Sequence, residues 1–268
     1  ILVSPGKGIV TSEGDSVIGI YNTLNNESAS MLYTKDGKTW KRTQDVQNRR
    51  TKTSENEIVE LKDGTLRMFY RSNNGKISYA DITKDENEDY VMGSEVETDV
   101  NAVSNCNVSV ISYSEEIEGK QMLLVSCPGS GSGSLTGMSR ANGKIFVFLV
   151  DDSDPANTMT LYHTFSVPGG ETGFVYSCLT ELEDGRVGML WEPNHSTMYF
   201  DTYHIDELIS DAVSVELKKD GEPYAFLCGS DVDISESADK AVAKVEKSIL
   251  QGEVLCDHVS DVADSLSS

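Results

Sequence analysis

The chain has 268 residues, of which 38% are hydrophobic, and this is enough to bury a sizeable core. Its net charge of −22 at pH 7 argues against a nucleic-acid-binding protein, which needs a basic surface, and disfavours binding to an anionic membrane. No apolar run approaches the about 20 residues that span a bilayer. The five cysteines are odd in number and lack C-x-x-C spacing, which argues against a disulfide framework.

Residues 1–230 are predicted to form short strands separated by turn signals. Several runs alternate apolar and polar residues, which is the pattern of a half-buried antiparallel sheet. The runs predicted as strands are Val17–Tyr21, Ala29–Tyr33, Ile58–Leu61, Leu66–Tyr70, Lys76–Ala80, Val108–Tyr113, Gln121–Cys127, Lys144–Val150, Thr158–Val167, Tyr176–Leu182, Arg186–Trp191 and Thr197–Tyr203. Repeated hairpins without long helices between them favour a sandwich, a barrel or a propeller.

The hairpin within Ser54–Arg71 carries a polar pair at its open end. Its Asp63-Gly64 turn supplies the positive φ that a tight hairpin requires. Glu55 and Arg71 each lie eight residues from Asp63, so they are predicted to lie opposite each other. A carboxylate and a guanidinium at that place indicate the rim of a pocket.

A second hairpin, within Tyr176–Glu192, repeats this design around Asp184-Gly185. Its open end carries Tyr176 opposite Glu192, and the offset from the first pair is 121 residues for both members. This offset fits two blades of about 60 residues each, so a β-propeller with one functional face is predicted. The alternative is that the two hairpins are similar only because all Asp-Gly hairpins are, so that their likeness does not indicate a repeat.

The pattern changes after Tyr203. A short helix is predicted at residues 204–209 and a strand at Ala212–Leu217. From Asp231 onward apolar residues fall at helical spacing among acidic ones, which predicts one or two acidic amphipathic helices. We therefore assign residues 1–228 to the propeller and residues 229–268 to an acidic helical tail or linker.

The segment Thr34–Trp40, TKDGKTW, resembles the Asp box, S-x-D-x-G-x-T-W, a turn motif of sialidase propellers, although it is one residue shorter. The motif implies that the carboxylate of Asp36 caps turn amides and that Trp40 packs between blade sheets. A degraded second copy is predicted at Thr83–Tyr90, with Tyr90 in the place of the tryptophan. The role of the motif is structural.

Four segments together resemble bacterial exo-α-sialidases, over residues 1 to about 210. They are Glu55–Leu61 followed by Tyr70–Ser72, then Ser139–Ile145, then Val175–Leu179, and finally Trp191-Glu192. These enzymes are all-β, six-bladed propellers that release terminal sialic acid from glycans, with retention and without a cofactor. The resemblance implies the same fold and activity here.

The resemblance also implies a role for each residue that matches a family motif. Tyr176 would be the nucleophile and Glu55 its base. The arginines Arg71 and Arg140 would hold the substrate carboxylate, as the second and third members of the family's arginine triad, and Glu192 would orient the first member. No metal is expected, because His163, His195, His204 and His258 show no ligand spacing.

The family's first triad arginine, in an F/Y-R-I-P segment, and its acid/base aspartate have no counterpart in this sequence. The chain is therefore expected to supply the C-terminal portion of the propeller, about three to four blades of six. The N-terminal half of the same domain is the expected partner. Residues 1–268 alone are expected to have little or no hydrolytic activity.

Several alternatives stay open at this stage. The sialic acid can pass to water or to another group of the same substrate. A non-catalytic glycan-binding propeller and a scaffold built on Asp boxes are the competing functions. The resemblance implies a secreted or cell-surface location.

Overall fold

The structure, a computed structural model, describes residues 1–24, 27–102, 105–129, 140–210, 213–219 and 222–228. The chain divides into two compact units, the first from Ile1 to His204 and the second beginning at Ile205. The first unit consists of strands, namely β1 (Leu2–Val3), β2 (Ile9–Val10), β3 (Ser16–Asn22), β4 (Ser28–Thr34), β5 (Lys41–Arg42), β6 (Asn56–Glu60), β7 (Leu66–Tyr70), β8 (Lys76–Lys84), β9 (Tyr90–Met92), β10 (Val96–Asn101), β11 (Ser109–Ile117), β12 (Lys120–Pro128), β13 (Gly143–Val150), β14 (Met159–Ser166), β15 (Ser177–Glu181), β16 (Val187–Asn194) and β17 (Thr197–Tyr203).

These strands form four antiparallel sheets in a propeller arrangement. Blade 1 has the order β1-β3-β4-β5, with β2 also paired to β3, and blade 2 has the order β10-β8-β7-β6, with β9 also paired to β8. Blade 3 is the meander β11-β12-β13-β14, and blade 4 is β15-β16-β17. The all-β propeller prediction is confirmed.

All twelve predicted strands of this unit are present, but five short ones were missed. Strands β1, β2 and β5 have two residues each, which is too short for any periodicity to register. Strand β9, YVM, has only three residues, which is again too short for a periodic pattern. The outer strand β10, VETDVN, is largely polar and has no buried residue, so it carries little apolar signal in the sequence.

The core lies between the blades. One cluster joins Val59 and Phe69 of blade 2 to Val110, Leu123 and Phe148 of blade 3, all of which are buried. A second cluster joins Met31 of blade 1 to Ile58 and Met68 of blade 2. Strands β12 and β13 are buried on both faces, so their sequences are almost continuously apolar.

The two Asp-Gly hairpins have the same backbone hydrogen bonds. In the first, Leu61 N donates to Thr65 O at 2.8 Å and Gly64 N to Leu61 O at 2.9 Å. In the second, Leu182 N donates to Arg186 O at 2.8 Å and Gly185 N to Leu182 O at 2.9 Å. Gly64 and Gly185 have φ of 85° and 80°, as the predicted turns require.

The Thr34–Trp40 turn is only partly as predicted. Asp36 Oδ1 accepts hydrogen bonds from Lys38 N at 2.8 Å and Thr39 N at 2.6 Å, so the carboxylate does cap the turn. The side chain of Trp40, however, is 49% exposed, and the prediction that it packs between blade sheets is wrong. The reason is its place at the outer edge of blade 1, where residues 35–42 are all exposed.

The second turn behaves differently from the first. Asp85 Oδ1 accepts hydrogen bonds from Asn87 N at 2.8 Å and Asp89 N at 3.0 Å. The Tyr90 ring is buried and meets the Tyr33 ring edge-on at 4.9 Å between centroids. The aromatic of this copy therefore packs in the core, while that of the first copy does not.

The second unit contains helix α1 (Ile205–Ile209) and a hairpin of strands β18 (Val213–Lys219) and β19 (Glu222–Cys228). The predicted helix at 204–209 and strand at Ala212–Leu217 correspond to α1 and β18, whereas β19 was not predicted. The predicted helical tail, residues 229–268, lies outside the described residues. The domain boundary at residue 228 stays a prediction, since the compact units divide at His204. Within the described residues, no helix combines the length and the apolar character that crossing a membrane requires.

Lys7 and Glu57 together link the inner strands of all four blades. Lys7, between β1 and β2, donates to Leu179 O of β15 at 2.6 Å and lies 3.4 Å from Glu57 Oε1 of β6. Glu57 Oε2 accepts a hydrogen bond from Val110 N of β11 at 3.2 Å. Burial raises the pKa of the Glu57 carboxyl above its ordinary value of 4.5, and the nearby charge of Lys7 offsets this only in part.

We expect Glu57→Gln to become more stable, relative to the parent chain, as the pH rises above 4.5. The folded state holds the Glu57 proton more tightly than the unfolded state does. The stability that this proton supplies is therefore present below the unfolded pKa and is lost as the pH rises through the folded pKa. Urea unfolding at acidic and neutral pH measures the difference, with the exposed Glu86→Gln as control. A difference that does not change with pH would contradict the expectation.

Candidate active site

The open ends of both hairpins meet at one edge of the propeller. Glu55 immediately precedes β6 and Arg71 follows β7, and their pairing is fixed by Arg71 N donating to Glu55 O at 2.7 Å. Tyr176 immediately precedes β15, and Glu192 N of β16 donates to Tyr176 O at 2.9 Å. Both polar pairs are therefore opposed across their hairpins, as the sequence predicts.

Tyr176, Glu55 and Arg71 form one hydrogen-bonded group. The Tyr176 hydroxyl donates to Glu55 Oε1 across 121 residues of sequence. Arg71 Nη1 donates to Glu55 Oε2 at 2.8 Å and lies 3.4 Å from the Tyr176 hydroxyl oxygen. Glu55 is buried, whereas Tyr176 and Arg71 are partly exposed, so the group opens to solvent on one side.

This group keeps the phenol neutral at rest. Burial raises the pKa of the Tyr176 hydroxyl above its ordinary value of 10.0, and the hydrogen bond to Glu55 and the negative charge of Glu55 raise it further. The positive charge of Arg71 acts in the opposite direction but does not outweigh them. For Arg71, burial acts to lower the pKa, but the hydrogen bond and charge of Glu55 outweigh it, so the pKa is raised. A nucleophilic Tyr176 would therefore pass its proton to Glu55 during the reaction rather than exist as a free phenolate.

Arg140 lies beside Tyr176. Its guanidinium carbon is 5.7 Å from the centre of the Tyr176 ring, and its Nη2 donates to Asn105 O at 3.0 Å. The Arg140 carbonyl accepts a hydrogen bond from Phe174 N at 2.9 Å, which ties it to the segment that leads into Tyr176. Arg140 is buried, and its Nε has no hydrogen-bond partner among the described residues. A buried guanidinium with a spare donor is suited to binding an anion.

Glu192 is placed at the site by its backbone. Its carbonyl accepts a hydrogen bond from Val175 N at 2.7 Å, next to Tyr176. Its role in orienting an arginine stays a prediction.

Asn105 is a site residue that the sequence reasoning missed. Its Oδ1 accepts a hydrogen bond from Arg71 Nε at 2.9 Å, and its carbonyl accepts the bond from Arg140. A signal did exist, since Asn105-Cys106-Asn107 is a polar run just before inner strand β11. Glu55 and Tyr176 likewise precede inner strands, β6 and β15, although they directly adjoin them and Asn105 lies four residues before β11.

Over the described part of the chain, His, Cys, Asp and Glu side chains do not form a group of three or more that could hold a metal ion. Of the described cysteines, Cys106 and Cys127 are buried free thiols and Cys178 is an exposed one.

Comparison with curated proteins finds sialidases. The chain is 28% identical over 237 residues to an anhydrosialidase from Macrobdella decora, covering 79% of this chain and 29% of that protein. It is 30% identical over 189 residues to sialidase B from Streptococcus pneumoniae serotype 4, covering 70% and 26%. A sialidase from Bacteroides fragilis is 29% identical over 217 residues, covering 78% and 37%. The chain thus spans about a quarter to a third of these relatives. No protein-family model matches it.

Comparison with solved structures agrees. An intramolecular trans-sialidase from Ruminococcus gnavus, in complex with oseltamivir carboxylate, superposes with a TM-score of 0.64 at 26% identity, covering 78% of this chain and 45% of that one. A leech intramolecular trans-sialidase with bound 2,7-anhydro-Neu5Ac gives a TM-score of 0.64 at 27% identity, covering 78% and 32%. Over most of its length the chain is therefore similar to sialidases in sequence and shares their propeller fold, which is consistent with a member of the sialidase family.

Proposed function

We propose that this chain is part of an exo-α-sialidase, a retaining glycoside hydrolase that releases terminal sialic acid from glycoconjugates. The observation that carries the proposal is the hydrogen bond from the Tyr176 hydroxyl to Glu55, with Arg71 and Arg140 both next to Tyr176. The relatives that bear sialidase names support the same activity.

A tyrosine suits this substrate better than a carboxylate nucleophile. Sialic acid carries a carboxylate on its anomeric carbon, so an aspartate or glutamate would approach it as a like charge in a partly desolvated site. A neutral phenol avoids that repulsion, and sialidases are the known exception with a tyrosine nucleophile. Glu55 is hydrogen-bonded to the phenol and so supplies the base.

The first step forms a bond between the Tyr176 oxygen and the anomeric carbon and breaks the bond to the leaving-group oxygen. Glu55 accepts the Tyr176 proton, while the leaving group takes a proton from an acid that none of our assigned residues supplies. In the second step the bond between the anomeric carbon and the Tyr176 oxygen breaks and Glu55 returns the proton to that oxygen, while the acceptor gives its proton to the conjugate base of the acid that protonated the leaving group. A water acceptor gives hydrolysis, and a hydroxyl of the sialyl group itself gives intramolecular transfer.

Arg71 and Arg140 hold the substrate carboxylate in this mechanism. Both are fixed by protein contacts on one side, Arg71 by Glu55 and Asn105, and Arg140 by Asn105. Their remaining donors are directed to a planar anion, for which a guanidinium fork is well matched. Glu192 is proposed to orient a further arginine.

We further propose that an N-terminal part of the same domain supplies this arginine and the general acid. The chain spans only 26% to 37% of the curated relatives, which is the support for an additional part. Because the substrates are glycoconjugates, a secreted or cell-surface location is proposed as well. Release of sialic acid from sialyllactose by a protein with the complete propeller tests the function. Binding of sialyllactose without turnover would instead indicate a glycan-binding propeller.

In such a protein, Arg140→Lys is expected to weaken substrate binding and the clamping of the transition state. A lysine keeps the charge but loses the planar fork, and the expected loss is at most about 3 kcal/mol. The measurement is kcat and KM on sialyllactose. Arg186→Lys is the control, because Arg186 contacts Asp184 in the turn of the Tyr176–Glu192 hairpin, at the end away from Tyr176. Equal effects of both substitutions would contradict the assigned role.

A further inference from the structure

The three residues Asn105-Cys106-Asn107 contact both arginines of the candidate site and the two residues that flank Tyr176. Asn105 accepts hydrogen bonds from both arginines, through its side-chain Oδ1 from Arg71 at 2.9 Å and through its carbonyl from Arg140 at 3.0 Å. Its main chain and side chain therefore fix the spacing between the two guanidinium groups.

The next two residues contact the carbonyls on either side of Tyr176. The Cys106 thiol donates to Val175 O at 2.8 Å, and Asn107 Nδ2 donates to Ser177 O at 3.4 Å. Cys106 is fully buried. Burial raises the pKa of its thiol to about 12, although the positive charges of Arg140 and Arg71 act to lower it. The thiol therefore stays protonated and able to donate. A few residues on, Ser109 Oγ accepts a bond from Leu179 N at 3.0 Å and continues the link between β11 and β15.

We propose that Asn105 is the positioning residue of the arginine pair, and that Cys106 and Asn107 hold it in register with Tyr176. The inference rests on the proposed function for its substrate, an α-carboxylated sugar. It adds that Asn105, which takes no part in the reaction itself, sets the distance of Arg71 and Arg140 from Tyr176.

The amide is the reason for asparagine at this position. An amide oxygen accepts the Arg71 Nε–H bond without bringing a negative charge beside the arginines. An aspartate would accept the same bond but compete with the substrate carboxylate for the guanidinium groups. A small apolar residue would add no charge beside Arg71, but it would remove the acceptor of the Nε–H bond and leave the Arg71 side chain free to rotate. Asn105→Asp and Asn105→Ala thus separate charge from geometry.

The first measurement needs no ligand and uses this chain. The Arg71 Nε–H signal is assigned in the NMR spectrum by its loss in Arg71→Lys, and its exchange with solvent is measured. We expect exchange to accelerate about tenfold or more in Asn105→Ala, since a hydrogen bond is lost, and to stay slow in Asn105→Asp, with the melting temperature unchanged in both. Unchanged protection in Asn105→Ala would overturn the inference.

The second measurement is the affinity for free sialic acid of the same variants in a protein with the complete propeller. We expect both Asn105 variants to bind about tenfold more weakly than the parent, and Asn87→Asp, the same charge change on an exposed turn, to bind as the parent does. If the parent binds and Asn105→Ala binds equally well, the inference is wrong while the proposed function stands. If the parent does not bind, the proposal that Arg71 and Arg140 hold the substrate carboxylate is wrong. The exchange measurement then still decides the role of Asn105.

Discussion

Tyr176→Phe is expected to lower kcat by about 10³-fold or more in a protein with the complete propeller, with sialic acid affinity changed only slightly. The substitution removes the oxygen that would form the covalent bond, while the ring beside Arg140 remains in place. Substrate binding depends on the arginines and not on the phenol oxygen. The predicted signature is therefore a loss in kcat with little change in the dissociation constant.

The control for this prediction is Tyr162→Phe. Tyr162 lies on outer strand β14, is 47% exposed, and loses the same oxygen without touching the site. Turnover on sialyllactose and binding of free sialic acid are measured for both variants. Near-normal turnover of Tyr176→Phe would show that Tyr176 is not the nucleophile.

Asp81→Ala is expected to lower the free energy of unfolding by about 3–5 kcal/mol, because it leaves a buried guanidinium without its counter-charge. Arg67 is fully buried and donates from Nε and Nη2 to the two Asp81 oxygens at 2.7 and 2.8 Å. Its Nη2 also donates to Asn157 O at 3.0 Å, which links blade 2 to blade 3. Loss of the carboxylate therefore affects the packing between blades.

Replacing both members of this pair gives a sharper test. Arg67→Met together with Asp81→Leu removes the buried charge along with its partner, and we expect it to cost much less than Asp81→Ala alone. Arg50→Ala removes an exposed pair, to Glu97 at 2.9 Å, and is expected to cost less than about 1 kcal/mol. Chemical unfolding of the three variants measures the order. Equal costs for Asp81→Ala and Arg50→Ala would contradict the argument.

The sequence carried enough information for the hairpins that build the site. Asp-Gly turns fix their own register, so the pairing of Glu55 with Arg71 and of Tyr176 with Glu192 follows from counting outward from the turn. Buried strands such as β12 and β13 can also be predicted from the sequence, because apolar residues occupy both faces.

Other features depend on contacts between blades, which no local pattern encodes. The exposure of Trp40 follows from its place at the outer edge of blade 1, and a motif match alone does not show this. Likewise Asn105 reaches Arg71 and Arg140 because blade 3 lies between the two hairpins. The contact between Tyr176 and Glu55 spans blades 2 and 4, so the family resemblance and not periodicity predicted it.

The proposed mechanism requires that the Tyr176 oxygen forms the covalent bond to the sugar. A fluorinated sialyl fluoride reacts through such an intermediate, and its electron-withdrawing fluorine slows the second step, so the labelled protein can be digested and sequenced by mass spectrometry. We predict a sialyl label on the peptide that contains Tyr176, absent in Tyr176→Phe. A label on Glu55 or another carboxylate would contradict the mechanism.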